Sequence, residues 1–135
     1  MRKLKYSQAI NEALVLSMNK NKRVIVLGLG SDDPKGIFGT TYGLKEKFGK
    51  NRVFDVPTAE NSLTGISIGM ATEGYRPVLS HQRVEFALLT IEQLFNQAAK
   101  WNFMSAGKKS VPLVIRLIIG RGWGQGPQHS QSLEA

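Results

Sequence analysis

Four short apolar runs constrain this chain more than any other feature: Val24 to Leu29, Arg52 to Val56, Pro77 to Ser80 and Val111 to Ile119. Each is too continuous for a strand with one wet face, so each predicts a strand buried on both sides. Helical patterns lie between them. Ile10, Ala13, Leu14 and Met18 fall at helical spacing near the N-terminus, with Ser7 as the expected cap. Glu60 to Gly74 carries Leu63, Ile66 and Met70 on one face, and Gly65 and Gly69 four apart, a spacing that lets a neighbouring backbone approach closely. Phe86, Leu89, Leu94, Phe95 and Ala98 mark a longer helix from about Glu85 to Met104. Strands alternating with helices predict an α/β fold, a mainly parallel sheet with helices on both faces.

A chain of 135 residues holds one such domain and not two. It contains no cysteine, which excludes disulfides and thiolate metal sites. His81 and His129 are its only imidazoles and stand far apart, so no metal site built from this chain's side chains is expected. Near the N-terminus, Asn11, Glu12 and Asn19 interrupt the apolar residues, which argues against a membrane span or secretory leader and for a cytoplasmic protein. The net charge of +8 is dispersed over helix ends and turns, with no basic run carrying interleaved aromatics. A solvated or partner-facing surface is expected, with neither nucleic acid nor membrane as a partner.

In a parallel sheet, functional residues gather beyond the carboxyl ends of the strands. Gly28 and Gly30 follow the first strand, but Asp33 occupies the position of the third glycine of a dinucleotide loop, and Asp32 and Asp33 would repel a pyrophosphate. Glu60 follows the second strand and Pro57 and opens a helix. From position alone it is either a first-turn carboxylate complementing the helix dipole or a carboxyl group projected into a cleft. After the third strand come His81, Gln82 and Arg83. After the last, Gly120, Gly122, Gly124 and Gly126 lead to His129, forming either a mobile cover that delivers the histidine or a long surface turn that exposes it.

Taken together, DPKGIFGTTYGLKEKFG, RVFDVPTAEN, the glycine-spaced helix with GYRPV after it, IEQLFNQAAK, and VPLVIR followed by the glycine loop and PQHSQ resemble one family along essentially the whole chain. That family is the beta subunit of the decarboxylating component of 2-oxo-acid dehydrogenases, such as pyruvate dehydrogenase. The resemblance implies a thiamine-diphosphate-binding domain of the pyrimidine type, at residues 1–135 of a longer beta subunit. It also implies a catalytic and cofactor-binding role for Glu60, whose carboxyl would share a proton with the aminopyrimidine and so promote formation of the cofactor's ylid. Phe86 matches the aromatic residue that stacks on the pyrimidine, and His129 matches the loop histidine that assists acyl transfer. The GDG motif and following asparagine that hold Mg2+ and the diphosphate do not occur in this sequence, so a partner alpha subunit would supply them. A second beta subunit, completing a heterotetramer, and a lipoyl acyltransferase are the other implied partners.

Two departures from the family pattern carry weight. Leu29 and Gly30 stand where many members have acidic residues. His81-Gln82-Arg83-Val84-Glu85 replaces a more aromatic stretch, which marks His81 and Arg83 as candidate selectors of a different, anionic substrate. The chain alone would be inactive, for want of the diphosphate half. A non-catalytic partner-binding module of the same fold is the competing reading, supported by Leu29 and Gly30 and opposed by the presence of Glu60, Phe86 and His129.

Overall fold

A computed structural model describes residues 2–120 and 124–133. Helix α1 (Tyr6–Lys20) leads into strand β1 (Val24–Gly28), the single turn α2 (Gly36–Gly39), helix α3 (Leu44–Phe48), strand β2 (Val53–Phe54) and helix α4 (Glu60–Thr72). Strand β3 (Arg76–His81) follows, then the short turn α5 (Val84–Ala87), further short helical turns ending in α6 (Trp101–Met104), and strand β4 (Val114–Leu117). The strands form one sheet in the order β2-β1-β3-β4, every pair parallel. The alternating apolar runs thus produce the expected α/β architecture.

Side chains alternate across β1 and separate two cores. Val24 and Val26 pack with Leu14 and Met18 of α1, Leu44 of α3, Val53 and Val78. Ile25 and Leu27 point the other way and pack with Leu63 of α4, Val56 and Leu79. Burying both faces of the central strands is what requires their unbroken apolar character. The edges behave differently. Only two residues of the second run join the ladder, and β4 leaves Val114 and Leu117 exposed, so the expectation that every strand is buried on both faces fails at β4.

Three helical expectations also need correction. Lys5, not Ser7, occupies the N-cap of α1, and the backbone N–H of Lys5 donates to the Gln8 side chain, which fixes the start one residue before Ser7 can act. On α4 the buried residues are Leu63, Thr64, Ser67, Ile68 and Ala71, while Ile66 is exposed. Leu63 and Met70 do pack on the second core, but Ile66 does not, and Thr64, Ser67, Ile68 and Ala71 share the buried face instead. Gly65 faces the Gln93 side chain rather than a backbone, and Gly69 faces open space.

The long helix expected from Glu85 to Met104 forms as one unbroken helical stretch over 84–98, with α6 following after Ala99 and Lys100, but its hydrogen bonding shifts from α5 to a 3-10 turn (Leu88–Thr90) and a π-helical turn (Gln93–Ala98). The Thr90 hydroxyl donates to the Ala87 carbonyl, and the Ile91 N–H bonds three residues back to Leu88, which diverts carbonyls from the regular ladder. Leu89 and Phe95 of the expected apolar stripe are exposed.

Gly28 ends β1 at φ 148, and a Cβ there would lie 2.4 Å from the Ser80 carbonyl oxygen of β3. Gly28→Ala should therefore destabilise the chain by about 1–3 kcal/mol, as overpacking against unyielding backbone does. Gly69→Ala, in a helix and facing open space, should instead stabilise it by about 0.5–1 kcal/mol. Urea unfolding midpoints of the two variants and the parent check both signs.

Candidate functional site

The carboxyl ends of β1, β2 and β3 lie side by side, and polar side chains stitch the loops that leave them. The Gly30 N–H donates to Asp55 Oδ1 at 2.6 Å, and the Val56 N–H donates to the same oxygen at 2.9 Å. Gln82 Nε2 donates to the Leu29 carbonyl at 3.1 Å. Leu29 and Gly30 are thus held from both neighbouring strands. The sequence reading passed over Asp55 and named Gln82 only as part of its loop. A carboxylate at the end of a buried strand was the available signal for Asp55.

Within this frame a small pocket of about 50 Å³ is lined by Leu29, Pro57, Glu60, Leu63, His81 and Phe86, among others. Glu60 is the first residue of α4, where the oriented N–H groups of the helix favour a carboxylate, and Ala59 at the cap has no side-chain acceptor to compete with it. Glu60 is half-buried. The pocket therefore gathers three candidate residues, Glu60, His81 and Phe86, from the loop ends of three successive elements. A larger apolar groove of about 850 Å³ lies between α1 and β4 and includes Tyr6 and Arg116 but none of the candidates.

His81 is 4% exposed, and its Nε2 lies 3.3 Å from Thr64 Oγ1. The Thr64 hydroxyl hydrogen goes to the Glu60 carbonyl at 2.8 Å, so Thr64 accepts from the imidazole and Nε2 carries the proton. Burial pushes the His81 pKa down, against the opposing pull of the Glu60 charge. A neutral ring buried beside a carboxylate is the result.

Arg83, 9% exposed, donates to the Gln82 carbonyl and, through Nη2, to Gln125 Oε1 at 2.7 Å, and its guanidinium lies 5.8 Å from the Phe38 ring centre. Phe38 reaches it from α2, where Ile37 and Phe38 both adopt positive φ, which neither residue type favours. His129 meets Phe86 edge to face with ring centres 5.2 Å apart. Gly124 and Gly126 take positive φ in the approach to it, and residues 124–128 are exposed. The glycine-loop expectation also covers Arg121, Gly122 and Trp123, which lie outside the described residues.

Glu85 is the other residue the sequence reading missed. Its Oε1 accepts the Gln131 N–H at 2.6 Å. That bond above all, with its own N–H and the charges of Arg83 and His129, holds its pKa below the ordinary carboxylate value despite burial.

Because burial lowers the His81 pKa, the unfolded chain takes up a proton that the folded chain refuses. Stability should be full above about pH 6.5 and should fall as the pH drops from there toward the lower pKa of the folded state. Urea unfolding between about pH 5 and 8 checks this, and His81→Gln should flatten that part of the profile.

Residues 2–135 match the family model described as transketolase, pyrimidine binding domain. The chain is 40% identical over 90% of its length to the mitochondrial pyruvate dehydrogenase E1 component subunit beta of Pisum sativum, covering 34% of that protein. It is 39% identical over 98% of its length to the beta subunit of acetoin:2,6-dichlorophenolindophenol oxidoreductase of Cupriavidus necator, covering 42% of it. It is also 39% identical over 98% of its length to the 2-oxoisovalerate dehydrogenase subunit beta of Bacillus subtilis, covering 40% of it. The chain spans about two fifths or less of the length of these relatives. Among the described residues, no helix is long and apolar enough to cross a membrane. A parallel α/β domain matched over this extent belongs to the transketolase pyrimidine-binding domain family.

Proposed function

We propose that the chain forms the pyrimidine-binding half of a thiamine-diphosphate site in a two-chain 2-oxo-acid dehydrogenase of the pyruvate dehydrogenase kind. The observation that carries this reading is the pocket that joins Glu60 at a helix N-terminus to Phe86 and the apolar Leu29, Leu63 and Leu79. Flat and aliphatic surfaces with one carboxyl group suit a heteroaromatic ring bearing a basic nitrogen. None of the residues lining the pocket is a lysine or arginine, so the diphosphate and its Mg2+ fall to an alpha subunit in this reading.

When bound, the cofactor supplies a nucleophilic carbon and an electron sink for decarboxylation of a 2-oxo acid. The chain's own residues orient it and move protons. Glu60 would exchange a proton with a basic ring nitrogen, Phe86 would offer the ring an aromatic wall, and His129 would serve the later proton transfers of acyl release. Arg83 biases the choice of substrate toward an anionic one by its charge, and His81, neutral and already donating to Thr64, shapes the pocket wall that the substrate meets. A second beta subunit and a lipoyl acyltransferase complete the assembly, and the reading places it in the cytoplasm, although the Pisum sativum relative is named mitochondrial. A non-catalytic partner-binding module is the second reading, favoured by apolar Leu29 in the wall of the Glu60 pocket.

The test is Glu60→Gln in the protein reconstituted with its alpha chain. Glutamine keeps the size and hydrogen-bonding capacity but cannot pass the proton. Thiazolium proton–deuterium exchange and turnover should fall about a hundred- to ten-thousand-fold, with assembly intact. Equal exchange rates in parent and variant would reduce Glu60 to a helix-terminal carboxylate. The chain without its partner should give no decarboxylation, and turnover by it alone would sink the two-chain reading.

A further inference from the structure

We propose that Glu85 is a positioning residue for His129, one member of a clamp by which the α5 turn holds both ends of the histidine loop. The proposal rests on the reading of His129 as part of the proposed site. The contacts follow the chain in order. The Val84 N–H donates to the Ile118 carbonyl at 3.0 Å, just before the loop begins. Arg83 Nη2 holds Gln125 Oε1, Phe86 meets the His129 ring, and Glu85 Oε1 accepts the Gln131 N–H at 2.6 Å. Four consecutive residues, 83–86, thus grip the loop before, within and after His129.

Glu85 is 7% exposed, and a buried carboxylate is costly unless it is hydrogen-bonded. Its Oε1 accepts from the main chain two residues beyond His129, and an ionised acceptor makes that bond stronger than a neutral one. Its second oxygen, Oε2, and the Ser130 hydroxyl are both buried without a hydrogen-bond partner among the described residues. The carboxylate is therefore committed to the backbone that carries the histidine. Because Phe86 is both a wall of the Glu60 pocket and the ring that His129 rests on, fixing Gln131 from the adjacent residue fixes His129 relative to that pocket.

The experiment compares Glu85→Ala and Glu85→Gln in the full chain and in the protein reconstituted with its alpha chain. In Glu85→Ala the Gln131 amide should exchange with deuterium about ten- to a hundredfold faster, while Leu14 in α1 keeps its protection. Glutamine retains an acceptor oxygen and should restore most of the protection. In the reconstituted protein, Glu85→Ala should lower kcat for acyl transfer as His129→Ala does, leave KM and thiazolium exchange unchanged, and add nothing in the double variant. An unchanged Gln131 amide, or a double variant that loses both effects multiplied together, would overturn the role. A parent protein without thiazolium exchange would overturn the cofactor reading alone, because the amide measurement decides the Glu85 contact independently.

Discussion

The site depends on how closely β1 and β3 run together. Gly28 pairs in register with Ser80, and a single added Cβ would collide with the Ser80 carbonyl. That approach lets Gln82 reach the Leu29 carbonyl, and on the other side of β1 Asp55 receives the Gly30 N–H. With three strand ends held level, α4 begins where Glu60 faces the wall made by His81 and Phe86. Widening the gap between the strands would separate all of these groups at once, although none of them is contributed by β1 itself.

Neutrality of His81 and the charge of Glu60 suit one another in this frame. A buried imidazole that keeps its proton on Nε2 for Thr64 adds a polar wall without adding a full charge to the pocket. Thr64 joins both, since its hydroxyl donates to the carbonyl of Glu60, the residue that opens the helix. A change at Thr64 would therefore disturb the first turn of α4 and the histidine together.

Much of the fold was legible because β1 and β3 are buried on both faces and their apolar runs have no other explanation. The edges were less legible, since an apolar β4 reads the same whether or not its outer face is covered. The α4 face was misread because Thr64 is buried with its hydroxyl bonded to the Glu60 carbonyl and Ser67 is buried as a small side chain, and an apolar tally ignores both. The irregular hydrogen bonding of the helix after Phe86 includes Thr90 capturing the Ala87 carbonyl, a local competition that helical spacing does not register. Of the candidate residues, Glu60 and His129 stood out by position and took their roles, with Phe86, from family resemblance, while Asp55 and Glu85 were given no role and Gln82 was named only as part of its loop. Their roles are bonds to backbone groups distant in sequence, and only the fold reveals those.

The most direct measurement is a structure of the chain assembled with its alpha subunit and thiamine diphosphate. The account predicts the aminopyrimidine between chains, with a ring nitrogen within hydrogen-bond distance of the Glu60 carboxyl and one ring face against Phe86. A pyrimidine held elsewhere, with Glu60 facing solvent or protein alone, would contradict it.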